Sequence, residues 1–211
     1  MRFFQNIRRI RAFMAEDIDA HIGDIALLKM DSVGLDIRPS LRAHLDPVRG
    51  WAPRLDLPAL RALPPNTFGR AYADFIDRHK LAPIVLTSAI DAETLARNAY
   101  GLRYATTHDM FHVLLGFAPD TVGEMGVLAF TCGQGFHRVL WLQALFAWLI
   151  YPFQSGFKLR ALRDAWRRGY AIGQRAPLLL GLRLEDRFEA DLGALRAELH
   201  LADPEPARAA A

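Results

Sequence analysis

A long apolar run, from Val139 to Phe153, restricts the folds open to this chain more than any other feature of its sequence. The run is shorter than the roughly 20 apolar residues needed to cross a bilayer, contains Gln143 and ends at Pro152. We therefore expect a helix that is buried in a core or lies at an interface. Its aromatic residues include types that are favoured where protein meets lipid headgroups: Trp141, Trp148 and Tyr151.

Helical spacing of apolar residues extends over most of the chain. The expected helices span residues 68–79, 121–136, 139–153, 159–173 and 182–199. A further helix is expected to begin at Ser88 or Asp91, and it either continues towards His108 or breaks near Gly101. Asn66-Thr67 can cap the first of these, and the charged residues of the last are expected to form a solvated face. Strand signals are few: no convincing period-two run exceeds four residues, and no Asn-Gly or Asp-Gly hairpin occurs. The sequence predicts an all-α, single-domain helical bundle over residues 1–201, with a disordered tail at 202–211.

Two histidines and two carboxylates occur at a spacing that suits a metal site. His108 and His112 stand at positions i and i+4, so they share one face of the predicted helix. Asp109 lies about 100° round the helix from His108, where it can join or brace the site. Helix-breaking residues at 116–120 allow the chain to reverse and bring Glu124 back towards the histidines. This segment therefore predicts a metal-binding helix hairpin.

Patterns that are missing narrow the chemistry of this site. Asp109 stands where a zinc protease of the His-Glu-x-x-His type has its general base, and no Glu-x-x-His pair of a two-metal carboxylate site occurs. A mononuclear centre with open positions remains, and Zn²⁺ or Fe²⁺ would suit its ligands equally. The apolar run nearby favours a hydrophobic substrate whose oxygen-rich head reaches the metal.

The expected substrate contacts follow from this arrangement. An apolar lipid-tail pocket is expected on the residues Leu140, Leu142, Leu145, Phe146, Leu149 and Phe153. Met110 and Phe111 either line the same space or belong to the core. Arg160 or Arg163 is a candidate for holding polar head atoms.

Composition excludes several classes of protein. With 211 residues and 52% hydrophobic residues, the chain is expected to be globular. Its formal charge is only +3, and its basic residues lack an aromatic-interleaved motif, so nucleic-acid binding is not expected. Cys132 is the sole cysteine, which excludes an intramolecular disulfide and a cysteine-based zinc site. The basic, amphipathic segment 1–14 lacks the features of a secretory signal and is expected to form a first helix or to touch anionic lipid.

The segment His108-Asp109-x-x-His112, followed after eleven residues by Glu124, resembles the signature of the coenzyme Q biosynthesis protein 4 family. The resemblance covers about residues 40–201. Other similar segments are Leu63-Pro-Pro-Asn-Thr-Phe-Gly, Gly116-Phe, Gly123-Glu124, Ala129-Phe130, Gln134 and Trp166-Arg-Arg-Gly-Tyr-Ala-Ile-Gly. Family members often carry an Arg/Glu pair before the His-Asp, whereas here Arg103 has no acidic neighbour.

The resemblance implies a helical protein of ubiquinone biosynthesis that acts as a lyase. The implied reaction is oxidative decarboxylation, in which the ring carboxyl of a polyprenylated 4-hydroxybenzoate intermediate is replaced by hydroxyl. His108, Asp109, His112 and Glu124 would be the catalytic metal ligands, with zinc the usual metal and Fe²⁺ an alternative. The main competing interpretation is a non-catalytic isoprenoid-binding scaffold for the coenzyme Q biosynthetic enzymes, and a third is a metal-dependent hydrolase.

The resemblance also implies a location and partners. We expect a protein of the bacterial cytoplasm, peripheral on the inner face of the cytoplasmic membrane. Expected partners are the prenylated intermediate and other ubiquinone-biosynthesis enzymes. A homodimer is compatible with an apolar chain of this size, although no particular residue indicates one.

Overall fold

Helices build the architecture of the computed structural model, which describes residues 2–18, 20–34 and 37–202. They are α1 (Arg2–Glu16), α2 (Ile22–Val33), α3 (Arg42–Leu45), α4 (Leu57–Arg61), α5 (Phe68–His79), α6 (Ala92–Arg97), α7 (Ala99–Leu115), α8 (Thr121–Gln134), α9 (Val139–Gln154), α10 (Leu159–Arg175) and α11 (Leu192–Glu198). In the described residues, β-pairing is limited to isolated bridges. The predicted all-α class is confirmed, whereas the predicted tail lies, from residue 203 onward, outside the described residues.

Local capping residues begin several helices where the sequence predicts them. The Thr67 hydroxyl accepts a hydrogen bond from the Arg70 amide at the start of α5. Asp91 begins α6 in the same way by accepting the amide hydrogen bond of Thr94. An N-cap side chain satisfies an amide that has no partner inside the helix, which is why these positions mark helix starts.

The break between α6 and α7 falls at Asn98 and not near Gly101. The Asn98 side-chain amide donates to Asp31 of α2 at 2.8 Å, and Asp31 also accepts from Asn6 of α1 and Arg97. This buried carboxylate joins α1 and α2 to the start of α7. Gly101 stays inside α7, where a Cβ would lie 3.1 Å from the Met30 sulfur of α2.

The predicted helix over 182–199 is wrong in its first half. Residues 184–187 form a 3-10 turn, and α11 begins only at Leu192. The carbonyls of Phe188 and Ala190 accept hydrogen bonds from the first amides of α5, at Gly69 and Phe68. Those carbonyls cap another helix, so this segment cannot keep its own helical ladder.

The expectation that the charged residues of this segment face solvent is also wrong at Glu185. Its carboxylate holds the guanidinium of Arg103, on α7, whose side chain is fully buried. The Leu182 carbonyl accepts a further hydrogen bond from Arg103. The acidic partner that Arg103 lacks beside it in sequence therefore comes from a distant segment.

Helices α8 and α10 touch backbone to backbone. A Cβ atom on Gly169 would collide with the Gly126 carbonyl, and one on Gly173 with the Phe130 carbonyl. Gly133 is equally close to α10, since its Cβ would lie 2.6 Å from the Tyr170 carbonyl. Contacts that advance in step along both helices mean that the two run in the same direction. Only glycine permits such an approach at these positions.

One core cluster draws buried side chains from α5 and from α7 through α11. The apolar run lies in α9, which buries Leu140, Ala144 and Ala147 and exposes most of its other large residues. Judged by length and hydropathy, no helix within the described residues could cross a lipid bilayer.

Candidate metal centre

Helices α7 and α8 bring the histidines and Glu124 together. Gly116 ends α7 in the left-handed conformation (φ 67°), and Asp120 caps α8 by accepting from the Gly123 amide at 2.8 Å. Gly123 has no room for a side chain, because a Cβ there would collide with the Ala118 carbonyl. Glu124 consequently lies in the first turn of α8, facing α7.

The ligand atoms of three side chains converge. Glu124 Oε1 lies 3.2 Å from His112 Nε2, and Glu124 Oε2 lies 3.5 Å from His108 Nε2. One ligand atom from each of the three residues lies within 4.8 Å of the others. Two imidazoles and a carboxylate at this spacing can bind a divalent cation, leaving positions open to water or substrate.

Asp109 occupies a different position from the other three residues. Its Oδ1 lies 3.6 Å from Nδ1 of His108, the ring nitrogen opposite the one near Glu124. A carboxylate behind a metal-binding histidine orients the ring and favours a proton on the outer nitrogen. The structure therefore places Asp109 where it can brace His108.

The surroundings of His112 leave one of its nitrogens bare. His112 Nδ1 lies 3.2 Å from the carbonyl of Phe117, an acceptor that requires the proton on Nδ1. Nε2 is buried and makes no hydrogen bond, although Glu124 Oε1 is close to it. A buried nitrogen lone pair without a donor is costly unless something binds it. This orphaned atom fits a metal ligand.

The charged groups of the cluster shift one another's pKa values. Burial lowers the pKa of His108, but Asp109 and Glu124 outweigh it and raise that pKa to about 9. Burial raises the pKa of Glu124, yet His108 and His112 outweigh it and hold the pKa well below its usual range. Without a metal, the proton held by His108 offsets part of the negative charge of the carboxylates beside it. A divalent cation would take over that role and displace protons.

Two tyrosines beside the cluster were missed by the sequence analysis. Tyr104 packs its ring 5.7 Å from that of His108, and burial followed by the charge of Glu124 raises its pKa. Tyr151 of α9 likewise has a pKa raised by burial and by Glu124. Tyr104 precedes His108 by four residues, a spacing that could have indicated it. Nothing in the sequence around Tyr151 points to this site.

The predicted substrate-binding residues fall into three environments. Met110 and Phe111 are buried in the main core. Leu142 and Phe146 line a cavity of about 630 Å³ between α9 and α2, together with Leu140, Ile22, Ile25, Met30 and Tyr104. The outer side chains of α9 are exposed: Leu145, Leu149 and Phe153. Arg160 is exposed on α10, where its Nε lies 3.8 Å from Asp164.

Known proteins resemble this chain in sequence. The sequence model of the family described as "Coenzyme Q (ubiquinone) biosynthesis protein Coq4" matches residues 51–205. The mitochondrial ubiquinone biosynthesis protein COQ4 homologues of Bos taurus and Homo sapiens are 37% and 36% identical to it over 152 residues. Each alignment covers 71% of this chain and 56% of the relative, so the chain spans about half the length of these curated relatives.

A known structure resembles the chain in fold. The crystal structure of a candidate ubiquinone biosynthesis protein from Nostoc punctiforme aligns with a TM-score of 0.63 and 20% identity. The alignment covers 96% of both chains. The helical architecture is therefore shared with a protein of low sequence identity.

Proposed function

The chain belongs to the family of the coenzyme Q (ubiquinone) biosynthesis protein Coq4, and on that premise we propose that it catalyses a metal-dependent step of ubiquinone biosynthesis. The step is the replacement of the ring carboxyl of a polyprenylated 4-hydroxybenzoate intermediate by hydroxyl. The observation that carries this proposal is the buried, unpartnered Nε2 of His112 facing Glu124 and His108.

His108, His112 and Glu124 would hold the metal, either Zn²⁺ or Fe²⁺. When bound, the ion would supply a Lewis acid that polarises the carboxylate and phenolic oxygens of the ring. Phe117 keeps the proton of His112 on Nδ1. Asp109 favours the proton of His108 on Nδ1 in the same way. Both histidines then present Nε2 towards the centre.

The apolar groups of the chain suit the rest of such a substrate. The cavity between α2 and α9 would take part of the polyprenyl tail, and Tyr104 lies both at this cavity and against His108. Replacing carboxyl by hydroxyl breaks one carbon–carbon bond, forms one carbon–oxygen bond and releases CO₂. The two electrons removed must pass to dioxygen or to another two-electron acceptor with water as the oxygen source.

The test compares His112→Ala with His79→Ala, which removes a neighbouring histidine outside the ligand cluster. Purified proteins are given the prenylated intermediate labelled at its carboxyl carbon, and released CO₂, hydroxylated product and bound metal are measured. We expect His112→Ala to lose metal and product formation together, while His79→Ala keeps both. Undiminished turnover by folded His112→Ala protein would disprove a catalytic role for the centre.

A second candidate function is a non-catalytic scaffold that binds isoprenoid lipid and gathers other ubiquinone-biosynthesis enzymes. The broad apolar surface of α9, which the metal centre does not use, favours it. A scaffold would retain lipid and partner enzymes in the folded His112→Ala variant and would convert no labelled intermediate in its wild-type form. The same labelled assay therefore separates the two functions.

A further inference from the structure

The last turn of α7, residues 112–115, carries His112 and ends in carbonyls that the helix itself cannot satisfy. The His112 carbonyl accepts the Phe117 amide at 3.0 Å, and the Val113 carbonyl accepts the Gly116 amide at 3.3 Å. This pair of bonds is the usual closure where a glycine ends a helix. Within the described residues, the last two carbonyls of α7 depend on side chains instead.

Two arginines from distant segments supply those side chains. Arg196 of α11 donates through Nε to the Leu114 carbonyl at 2.9 Å, and through a terminal nitrogen to the Val113 carbonyl at 2.7 Å. Arg168 of α10 donates to the Leu115 carbonyl at 2.7 Å. Positive charge at the carboxyl end of a helix also complements the helix dipole. Guanidinium groups therefore hold three of the last four carbonyls of α7.

The short helix α11 fixes the place from which Arg196 reaches α7. Leu195, the residue before Arg196, is buried in the main core. Asp191 caps the start of α11 by accepting a hydrogen bond from the Ala194 amide at 2.8 Å. A guanidinium that donates two hydrogen bonds fixes direction as well as distance, which a single ammonium group cannot do. Helix α11 therefore holds the last turn of α7 in one orientation.

The position of His112 depends on this turn in two ways. The backbone of His112 belongs to the turn, and its Nδ1 lies 3.2 Å from the carbonyl of Phe117, the residue whose amide closes it. Arg196, His112 and Phe117 also line one cavity of about 410 Å³. Loss of the Arg196 side chain would release the turn and enlarge the cavity beside the bond between His112 and Phe117.

We propose that Arg196 is a positioning residue of the metal centre, which fixes His112 by holding the carbonyls of Val113 and Leu114. It acts through the backbone of α7 and not as a ligand. The effect of Arg196 on metal binding rests on the proposed function, whereas its hold on α7 stands on the hydrogen bonds alone.

The test compares Arg196→Gln and Arg196→Lys with the control Arg175→Gln in the full chain. Glutamine removes both the charge and the two-pronged guanidinium, while lysine keeps the charge alone. Arg175 is a matched control, because its guanidinium also donates to two carbonyls, those of His200 and Ala202, outside α7. Competition with a chromogenic chelator gives the affinity for Zn²⁺. The visible absorption spectrum of bound Co²⁺ reports the arrangement of the ligands.

Removing a positive charge near the centre would by itself favour the binding of a cation, so weaker binding by Arg196→Gln reports lost positioning. We expect Arg196→Gln to bind zinc about tenfold more weakly than wild type and to change the Co²⁺ spectrum, with Arg175→Gln normal in both. Arg196→Lys should bind zinc with an affinity between those of Arg196→Gln and wild type. Zinc binding by Arg196→Gln as tight as wild type would overturn the proposal, and so would equal losses in Arg196→Gln and Arg175→Gln.

Amide hydrogen exchange of the metal-free protein is a second measurement that needs no bound ion. The amides of Gly116 and Phe117 are hydrogen-bonded in the closure of α7. They should exchange about tenfold faster in Arg196→Gln than in wild type, as expected when a charge-assisted hydrogen bond no longer holds the turn closed. Unchanged exchange at these two amides would overturn the hold of Arg196 on α7.

Failure of this inference and failure of the proposed function are separate results. A wild-type chain that shows the Arg196 effects but converts no labelled intermediate would contradict only the catalytic proposal. Turnover and zinc binding by Arg196→Gln at the wild-type level would contradict only the positioning role. If the wild-type chain bound no zinc, the proposed function would fail, and hydrogen exchange would still decide whether Arg196 holds α7.

Discussion

Gly126→Ala should weaken metal binding although Gly126 is not a ligand. A Cβ at this position would lie within 2.7 Å of three atoms of the Phe117 ring, against an ordinary contact of about 3.5–4.0 Å. The ring cannot simply turn away, since the Arg168 guanidinium covers it at 4.6 Å from its centroid. Phe117 must therefore move, and its carbonyl is the acceptor for His112 Nδ1.

The expected magnitudes follow from these contacts. Overpacking a well-filled interior costs about 1–3 kcal/mol of unfolding free energy. Disturbing the outer hydrogen bond of a metal-binding histidine costs about tenfold to a hundredfold in metal affinity. Gly133→Ala is the matched control, because its Cβ would press on the Tyr170 carbonyl of α10, well away from Phe117. In both variants, replacing glycine by alanine inside a helix also adds roughly 1 kcal/mol of stability from helix propensity, so this gain cancels in the comparison.

Urea unfolding gives the stability of both variants, and competition titration with Zn²⁺ and a chromogenic chelator gives their metal affinity. We expect both glycine variants to be less stable than wild type and only Gly126→Ala to bind metal more weakly. If the two variants bind zinc equally well, Phe117 does not position His112 and the reasoning is wrong.

Three further predictions concern carboxylates that pair with basic side chains. Glu185→Gln should lower the unfolding free energy by about 3–5 kcal/mol, since it leaves the Arg103 guanidinium charged and unpaired in the core; urea unfolding measures this. Hydrogen bonds from Arg97, Asn98 and Asn6 hold the pKa of Asp31 well below its usual range. The ionised Asp31 therefore stabilises the fold fully above about pH 4, the pKa of an unfolded aspartate, and this stabilisation is lost as the pH falls further. Asp31→Asn should accordingly flatten the decline of stability in acid, measured by urea unfolding across pH. Asp109→Asn should lower zinc affinity about tenfold without abolishing binding, measured by the same competition titration.

Each of these three has a contradicting result. Arg61→Ala breaks the exposed pair with Asp77 and should cost less than about 1 kcal/mol, so equal losses for Glu185→Gln and Arg61→Ala would contradict the burial argument. An unchanged acid profile for Asp31→Asn would mean that its carboxylate adds nothing to stability. Complete loss of zinc from folded Asp109→Asn protein would show that Asp109 is a direct ligand.

Features decided by neighbours in sequence could be predicted, and those decided by distant contacts could not. Thr67 and Asp91 begin helices through hydrogen bonds to amides three residues away, so their role is visible in a short window. The segment 182–191 has helical spacing, but its carbonyls are taken by α5. The partner of Glu185 lies 82 residues away, which no local pattern indicates.

The candidate site divides in the same way. The i, i+4 spacing and the reversal before α8 were enough to group His108, His112 and Glu124. The side on which Asp109 contacts His108 depends on side-chain rotamers and could not be read from spacing. Tyr151 comes to Glu124 through the packing of α9, which only the folded chain defines.

The pairing of Arg103 with Glu185 also limits how early the protein can complete its fold during synthesis. At about 5–20 residues per second, a ribosome needs roughly 4 to 16 seconds to reach Glu185 after it has made Arg103. Until then, the helix that carries both histidines holds a cation with no buried partner, and the first amides of α5 still lack the carbonyls of Phe188 and Ala190. A nascent chain halted before residue 185 should therefore remain open to proteases. Metal loading is accordingly expected to be a late event, on a chain that is nearly finished.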